Sequence, residues 1–112
     1  EGDATAGKMQ VVAQVQEYIK NHLSEKLTLA DVAAVFNFSP NYLSQLFGKY
    51  GDSGFVEYIT ETRIAAAKEM LEQSNLKVYE IAEKLGYESS FYFSKVFKKV
   101  TGLSPREYQQ SL

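Results

Sequence analysis

The clearest pattern of apolar residues lies between residues 78 and 100, where two helical stripes are separated by a glycine. Both stripes follow the i, i+3, i+4, i+7 spacing of one face of an α-helix. Their members are Val78, Ile81, Ala82 and Leu85, and then Phe93, Val96, Phe97 and Val100. Gly86 accepts the left-handed backbone that ends a helix, and Ser89 can cap the next helix by accepting a backbone N–H. This order predicts a helix-turn-helix unit, whose second helix enters the major groove of DNA.

The same pattern occurs once more, 49 to 50 residues earlier in the chain. Leu29, Val32, Ala33, Phe36 and Phe38 correspond to Val78, Ile81, Ala82, Leu85 and Tyr87, and Leu43, Leu46, Phe47 and Tyr50 correspond to the stripe that starts at Phe93. Thr28 and Asp31 resemble a capping box at the start of this earlier copy. The chain is therefore predicted to contain an internal repeat of two helix-turn-helix units.

The faces opposite these stripes carry residue types that suit contacts with DNA. At about 100° per residue, the outward residues are Asn41, Tyr42, Ser44, Gln45 and Lys49 in the first unit, and Phe91, Tyr92, Lys95, Lys98 and Lys99 in the second. An exposed phenylalanine gains nothing from water but can contact a thymine methyl group, and Asn or Gln can pair with adenine through two hydrogen bonds. Three alternatives stay open: a plain solvated face on the first unit, packing of Phe91 against a neighbouring helix, and a purely solubilising role for Lys98 and Lys99.

The remaining segments complete an all-α architecture of two helix-turn-helix subdomains joined by a long central helix. Residues 1–7 are small and polar without periodicity, so we expect a linker or a remnant at the cut end of a longer protein. Residues 8–54 are predicted to form the first subdomain, residues 55–73 the connecting helix, and residues 74–112 the second subdomain. The connecting helix would span about 28 Å, close to the roughly 34 Å of one duplex turn. We therefore expect the two recognition helices to enter successive major-groove segments.

Composition narrows the classes of function. The 112 residues include no cysteine, which excludes disulfides and thiol catalysis. No apolar run is long enough to span a bilayer and no signal peptide opens the chain, so we expect a soluble cytoplasmic protein without membrane contact. No catalytic or phosphate-cradling motif is present, so we expect neither an enzyme nor a cofactor or metal site. The net charge of −2 weighs against nucleic-acid binding, but residues 89–100 carry three lysines and no acid.

Two single residues outside the predicted recognition helices allow simple interpretations. Arg63 can contact a phosphate, or it can bond a nearby carboxylate such as Glu57 or Glu61, and it is left out of the predicted site. His22 is the only histidine and lies near the end of the first predicted helix, where an imidazole interacts favourably with the helix dipole.

The stretch from Ile81 to Tyr108, IAEKLGYESSFYFSKVFKKVTGLSPREY, resembles the signature of the AraC-type (AraC/XylS) transcription regulators. The chain is most similar to the C-terminal output domains of bacterial two-component response regulators, which implies a receiver or sensor domain before Glu1. The resemblance implies seven helices, and DNA contacts by Asn41, Ser44, Gln45, Ser90, Phe91, Tyr92 and Lys95. The first repeat departs from the family pattern T-G-x-S-F in having Y-G-D-S-G-F, which moves a glycine by one position.

We therefore predict sequence-specific binding of double-stranded DNA at promoters or operators. Base contacts are expected from Asn41, Gln45, Phe91, Tyr92 and Lys95, and backbone contacts from Ser39, Lys49, Ser89, Lys98 and Lys99. RNA polymerase and a second copy of the regulator, held through regions outside this chain, are further expected partners. The alternative is a helical protein-interaction module, in which the exposed aromatic rings dock RNA polymerase or another domain of the regulator.

Overall fold

The computed structural model describes the backbone of residues 2–112 and the side chains from residue 5 onward. Over this part of the chain all regular secondary structure is α-helical, and the predicted seven-helix, all-α fold is confirmed. The helices are α1 (Gly2–Lys20), α2 (Leu29–Val35), α3 (Pro40–Tyr50), α4 (Phe55–Gln73), α5 (Val78–Lys84), α6 (Ser90–Thr101) and α7 (Pro105–Gln110).

The chain divides into two compact units. The first contains α1, α2, α3 and the part of α4 up to Thr60, and the second contains the rest of α4 with α5, α6, α7 and residues 23–26. Helix α4 runs without interruption from Phe55 to Gln73, as its content of Ala, Glu and Leu and its lack of Gly and Pro predict. Each unit therefore contains one pair of helices in helix-turn-helix order.

Helix α1 begins earlier than the apolar pattern indicates. The sequence pattern predicts an irregular segment over residues 1–7 and a helix from Lys8, whereas α1 extends from Gly2 to Lys20; Glu1 lies outside the described residues. This segment contains no proline, and extending a helix beyond an existing turn costs little compared with starting one. Residues 5–10 are all exposed, so the buried stripe begins only after them. The apolar pattern therefore indicates only the part of α1 that contributes buried residues to the core.

Helix α3 lies at the centre of the first unit, because it packs against both α1 and α2. Its buried residues are Leu43, Leu46 and Phe47, which belong to the predicted stripe. The rings of Phe47 and Phe55 meet edge to face with centroids 5.5 Å apart, a geometry that stabilises aromatic pairs. The other buried apolar residues of this unit are Val12, Val15, Ile19, Val32, Ala33 and Ile59. The opposite face of α3 is left in solvent.

The second unit encloses a core cluster to which α4, α5 and α6 each contribute one face. Its members are Ile64, Ala67, Leu71, Ile81, Ala82, Leu85, Phe93 and Phe97. Tyr108 of α7 packs against this cluster, with its ring centroid 5.6 Å from that of Phe97. Its hydroxyl donates a hydrogen bond to the Glu72 carboxylate, and that bond raises the pKa of Tyr108. The buried side of α6 therefore packs against α4 and α7.

The turns between the paired helices have the same backbone geometry, which confirms the predicted internal repeat. Asn37 has a φ of 60° in the first unit and Gly86 a φ of 80° in the second. Asn is among the few residues other than Gly that adopt this left-handed conformation readily. The equivalent turn hydrogen bonds run from Phe38 N–H to the Ala33 carbonyl at 2.9 Å and from Tyr87 N–H to the Ala82 carbonyl at 3.0 Å.

The two recognition helices, α3 and α6, end differently. Gly102 ends α6 in the left-handed conformation with a φ of 87°, and its N–H donates to the Lys98 carbonyl. Gly51, which follows α3, has an extended backbone with a φ of −93°. In the first repeat, where the glycine is moved by one position, the chain therefore leaves the recognition helix in an extended conformation and not through a left-handed glycine.

Candidate nucleic-acid interface

Both recognition helices begin with a serine cap of the same geometry. Ser39 Oγ accepts a hydrogen bond from Tyr42 N–H at 3.1 Å, and Ser89 Oγ accepts one from Tyr92 N–H at 3.1 Å. A hydroxyl that accepts such a bond keeps its own proton as a donor. Both serines are exposed, so each can donate to a phosphate oxygen at a helix start, where the helix dipole also favours an anion.

The outward face of α6 presents an aromatic ring beside a cation. Phe91 is 71% exposed, the highest value among the large hydrophobic side chains of the described residues, and Tyr92 is 59% exposed. The Lys95 ammonium nitrogen lies 5.0 Å from the centroid of the Phe91 ring, in cation–π contact. Exposure on this scale excludes the alternative in which Phe91 packs against a neighbouring helix. Ser90, one residue earlier, is partly buried.

Tyr42 and Tyr92 hold equivalent positions in the two units, and each contacts an aromatic ring of the preceding turn. The Tyr42 ring lies 5.1 Å from the Phe38 ring, edge to face. The Tyr92 ring lies 6.1 Å from the Tyr87 ring in a tilted arrangement. Each tyrosine is thus supported on one side while the rest of its surface is exposed. This support reduces the side-chain entropy that a contact with DNA would cost.

The outward face of α3 is polar and lies in solvent. Asn41, Ser44, Gln45 and Lys49 are all exposed and lie opposite the buried side of the helix. The Lys49 ammonium nitrogen is 5.6 Å from the centroid of the Tyr50 ring. Helix α3 contains no acidic residue, so nothing on it repels a phosphate. Asn41 and Gln45 must be exposed in order to contact bases. A polar face with no role in binding would be exposed as well, so exposure alone does not separate the two interpretations.

The last turn of α6 differs from the predicted pattern at Val100. This residue belongs to the predicted buried stripe but is 47% exposed, and Val96 is only partly buried. The core cluster contains Phe93 and Phe97 as its α6 members, so the helix extends beyond the cluster in its final turn. Lys98 and Lys99 lie on this exposed turn.

Lys98 has an acidic neighbour within the same unit. The Glu107 carboxylate accepts a hydrogen bond from Ser104 N–H at 2.8 Å, and Ser104 Oγ accepts one from Glu107 N–H at 3.1 Å, which forms a capping box at the start of α7. The pKa of Glu107 is lowered mainly by the hydrogen bond from the Ser104 backbone N–H, then by the Ser104 hydroxyl and, to a smaller degree, by the charge of Lys98. The negative charge of Glu107 therefore reduces the attraction of Lys98 for a phosphate.

Arg63 has a structural role, through acceptors that the sequence interpretation did not name. Its Nη2 atom donates to the backbone carbonyls of Leu23 at 3.1 Å and Glu25 at 2.8 Å, and its guanidinium carbon lies 5.5 Å from the Tyr87 ring centroid. Burial lowers the pKa of Arg63 and raises that of Tyr87. Neither the phosphate nor the carboxylate interpretation anticipates these backbone acceptors, which lie about forty positions away in the chain. Arg63 thus supports Tyr87, which in turn contacts Tyr92.

The part of the chain that the structure describes contains neither a group of metal ligands nor a membrane-spanning helix. Among the side chains that the structure describes, those of residues 5–112, no group of three or more His, Asp and Glu is placed to hold a metal ion. No helix in this range combines the length and apolar content needed to cross a bilayer. His22 Nδ1 lies 2.6 Å from the Tyr18 carbonyl oxygen and its ring stacks on that of Tyr18, so the imidazole contacts the end of α1.

Comparison with known proteins identifies the family. A sequence profile described as a helix-turn-helix domain matches residues 32–111. The chain is also 38% identical to the C-terminal domain of AraT, a response regulator from Geobacillus stearothermophilus, with a TM-score of 0.88 over 91% of this chain and 85% of that one. The chain belongs to the AraC-type helix-turn-helix family.

Two further proteins similar to this AraC-type domain are transcription regulators. It is 42% identical over 107 residues to YijO, an uncharacterized transcriptional regulator of Escherichia coli K12, which covers 95% of this chain and 38% of YijO. It is 25% identical to the DNA-binding domain of AdpA, a global transcriptional factor solved in complex with a target DNA, with a TM-score of 0.83 over 88% of this chain and 89% of that one. The AraC-type domain therefore corresponds to well under half the length of YijO.

Proposed function

We propose that this AraC-type domain binds double-stranded DNA in a sequence-specific manner, as the C-terminal part of a longer bacterial transcription regulator. The observation that carries the proposal is the outward face of α6, where Phe91 is 71% exposed and lies 5.0 Å from the Lys95 ammonium group. A solvated surface does not favour such a ring, whereas base edges in a major groove offer it apolar contact.

The roles of the individual residues follow from their chemistry and their position on the helices. Amide and aromatic side chains suit base edges, and hydroxyl and ammonium groups suit phosphates. We assign base contacts to Asn41, Gln45, Phe91, Tyr92 and Lys95, with Tyr42, Ser44 and Ser90 beside them, and phosphate contacts to Ser39, Lys49, Ser89, Lys98 and Lys99. The net charge of −2 limits the electrostatic attraction, so we expect modest affinity that depends strongly on salt.

The relatives support the proposal that this domain belongs to a longer transcription regulator. AdpA carries a related domain that was solved with a target DNA, and AraT is a response regulator. We infer by analogy that a receiver or sensor domain precedes this domain in a cytoplasmic regulator, and that pairing of regulators through other regions and contact with RNA polymerase assist promoter binding. The rival interpretation as a protein-interaction module alone is not favoured, since the related domains belong to DNA-binding regulators.

The repeat suggests that the operator has two parts. Each helix-turn-helix unit offers one recognition helix, so we propose that α3 and α6 contact successive major-groove segments of one duplex. Half-sites contacted in this way lie about ten base pairs apart. Selection of bound duplexes from a random pool should therefore return two short motifs at that spacing. A single short motif would instead indicate that one unit alone contacts bases.

The selected duplex then tests the assigned face. Affinity should fall on the order of tenfold or more between about 50 mM and 200 mM salt, because several lysines displace counterions. Phe91→Ala and Lys95→Ala should each weaken binding by roughly tenfold, since one specific base contact contributes about 1–3 kcal/mol. Val56→Ala and Lys84→Ala are matched controls, because both side chains are exposed and neither lies on a recognition helix.

Two results would count against the proposal, and they differ in meaning. If the double variant at Phe91 and Lys95 bound the selected duplex as tightly as the parent chain, the assigned face of α6 would be wrong. If no duplex were selected while RNA polymerase bound the parent chain and not the double variant, the protein-interaction module would be the correct function.

A further inference from the structure

The second unit contains a cleft of 480 Å³ to which the predicted site contributes only Ser90. Its polar lining residues are Asn75, Lys77, Tyr79, Ser90, Arg106 and Gln109. These side chains come from the segment between α4 and α5, from the first turns of α5 and α6, and from α7. The cleft therefore opens beside the start of recognition helix α6, next to the residues assigned to base contact.

The charge of the lining is positive. Lys77 and Arg106 are both exposed, and none of the lining residues is acidic. Two carboxylates follow lining residues in sequence and keep their negative charge, but each is held by a backbone N–H: Glu80 accepts a hydrogen bond from Lys77 N–H at 2.8 Å, and Glu107 accepts one from Ser104 N–H at 2.8 Å. The remaining side-chain groups are hydroxyls and amides, which can donate hydrogen bonds. Two cations with neutral donors around them form the chemistry that recognises a phosphate.

The lining also argues against an apolar small molecule. Sites for such ligands are lined mainly by hydrophobic and aromatic side chains, whereas here only Leu76 and Val78 are aliphatic. A DNA strand, by contrast, must pass close to the start of α6 if Phe91 and Tyr92 contact bases. The phosphates of that strand border the groove, so a cationic cleft beside the start of α6 is placed to contact one of them.

We propose that the cleft holds a backbone phosphate of the DNA strand that passes the start of α6, with Arg106 and Lys77 as its ligands and Tyr79 and Ser90 as further donors. This inference rests on the DNA binding proposed above. Phosphate contacts fix the register and orientation of a protein on the duplex. Because the cleft joins α5, α6 and α7, a phosphate held there fixes how α6 enters the major groove.

The selected duplex provides a direct test. Lys77→Ala and Arg106→Ala should each weaken binding by roughly threefold to tenfold, and the double variant should reduce the salt slope of log affinity by about one. Lys84→Ala, which removes an exposed lysine of α5 outside the cleft, should change neither quantity by a comparable amount. Thermal unfolding followed by circular dichroism verifies that the variants fold, as expected for exposed side chains.

A scan of neutral methylphosphonates along the duplex locates the contact. At one phosphate, the substitution should weaken binding of the parent chain by roughly tenfold and that of the double variant by less than about twofold, since the cationic ligands are already absent. Base-contact variants such as Phe91→Ala should stay sensitive at that phosphate.

The failure of this inference can be distinguished from the failure of the proposed function. If the double variant binds like Lys84→Ala while Phe91→Ala still weakens binding, the cleft does not hold a DNA phosphate and the proposed function stands. If inorganic phosphate saturates the Arg106 and Lys77 amide shifts in a nuclear magnetic resonance titration while no methylphosphonate affects the variants selectively, the cleft binds a free anion, and the DNA assignment is overturned. If the parent chain selects no duplex, the proposed function itself is wrong.

Discussion

Arg63 occupies the space that a side chain at Gly86 would need, because a Cβ atom placed on Gly86 would lie 2.7 Å from Arg63 Nη2. The Leu23 carbonyl oxygen, which accepts a hydrogen bond from the same Nη2 atom, would be equally close at 2.7 Å. The turn of the second unit therefore needs glycine for two reasons, a left-handed backbone and a close approach by Arg63. The equivalent turn of the first unit uses Asn37 in the left-handed conformation.

Gly86→Ala should lower the free energy of unfolding by about 2–3 kcal/mol. The left-handed conformation costs an alanine about 1–2 kcal/mol, and Arg63 or Leu23 must also move. Asn37→Ala is the matched control and should cost about 1 kcal/mol, for the backbone conformation alone. Urea unfolding monitored by circular dichroism measures both. Equal losses in the two variants would mean that crowding by Arg63 is unimportant.

Truncation of two phenylalanines of α6 should affect the free energy of unfolding to very different degrees. Phe97 is fully buried against Phe93 and Tyr108, so Phe97→Ala should lower the free energy of unfolding by about 3–5 kcal/mol. Phe91→Ala should change it by no more than about 0.5 kcal/mol, because this ring lies in solvent. Only the Phe91 variant should lose affinity for DNA while remaining fully folded. A large stability loss in Phe91→Ala would show that its ring contributes to the fold.

The serine caps allow helix stability to be separated from phosphate contact. Ser89→Ala removes the acceptor for Tyr92 N–H and should cost about 1 kcal/mol of stability along with some affinity for DNA. Ser89→Asp retains a good cap acceptor but places a negative charge where a phosphate is expected. Its stability should stay near that of the parent chain, while its affinity for the selected duplex should fall more than in Ser89→Ala. Equal DNA affinity in Ser89→Asp and the parent chain would contradict the proposed backbone contact.

The capping box at α7 predicts a pH dependence of stability. The pKa of Glu107 is lowered from its ordinary value of 4.5, mainly by the hydrogen bonds with Ser104. A carboxylate with a lowered pKa stabilises the folded state above its unfolded pKa, and this contribution is lost as the pH falls through the folded pKa. Glu107→Gln keeps an acceptor for Ser104 N–H but does not titrate. The variant should therefore lose less stability than the parent chain between about pH 5 and pH 3, as measured by urea unfolding at each pH. An identical pH profile in both chains would exclude this role of Glu107.

Most of the fold was predictable from the sequence, since the signals are local. The helix pairs, the serine caps and the left-handed Gly86 each depend on residues within one or two turns of one another. The outward position of Phe91, Lys95, Asn41 and Gln45 follows from the same helical period. The start of α1 was not predictable in this way, because residues 5–10 are all exposed and so carry no apolar stripe.

Contacts between distant segments were not predictable. The sequence shows Arg63 on a helix with acidic neighbours, but its acceptors are backbone carbonyls at Leu23 and Glu25. Every residue has a backbone carbonyl, so the sequence does not indicate which of them accepts a hydrogen bond from Arg63. The cleft at Lys77 and Arg106 is similar, because its lining residues come from four segments and share no spacing in the chain.

The sequence by itself determined that the chain is helical, that a helix-turn-helix unit occurs twice, and which faces of α3 and α6 avoid the core. It could do so because each helix must bury one face, and that requirement repeats every 3.6 residues along the chain. The tertiary structure alone decided what surrounds Arg63, why Gly86 admits no side chain, where Val100 leaves the core, and which cations meet beside the start of α6. These features depend on how the packed elements of one unit meet, and the distance between two side chains there is set by the packing of whole helices and not by their separation in sequence.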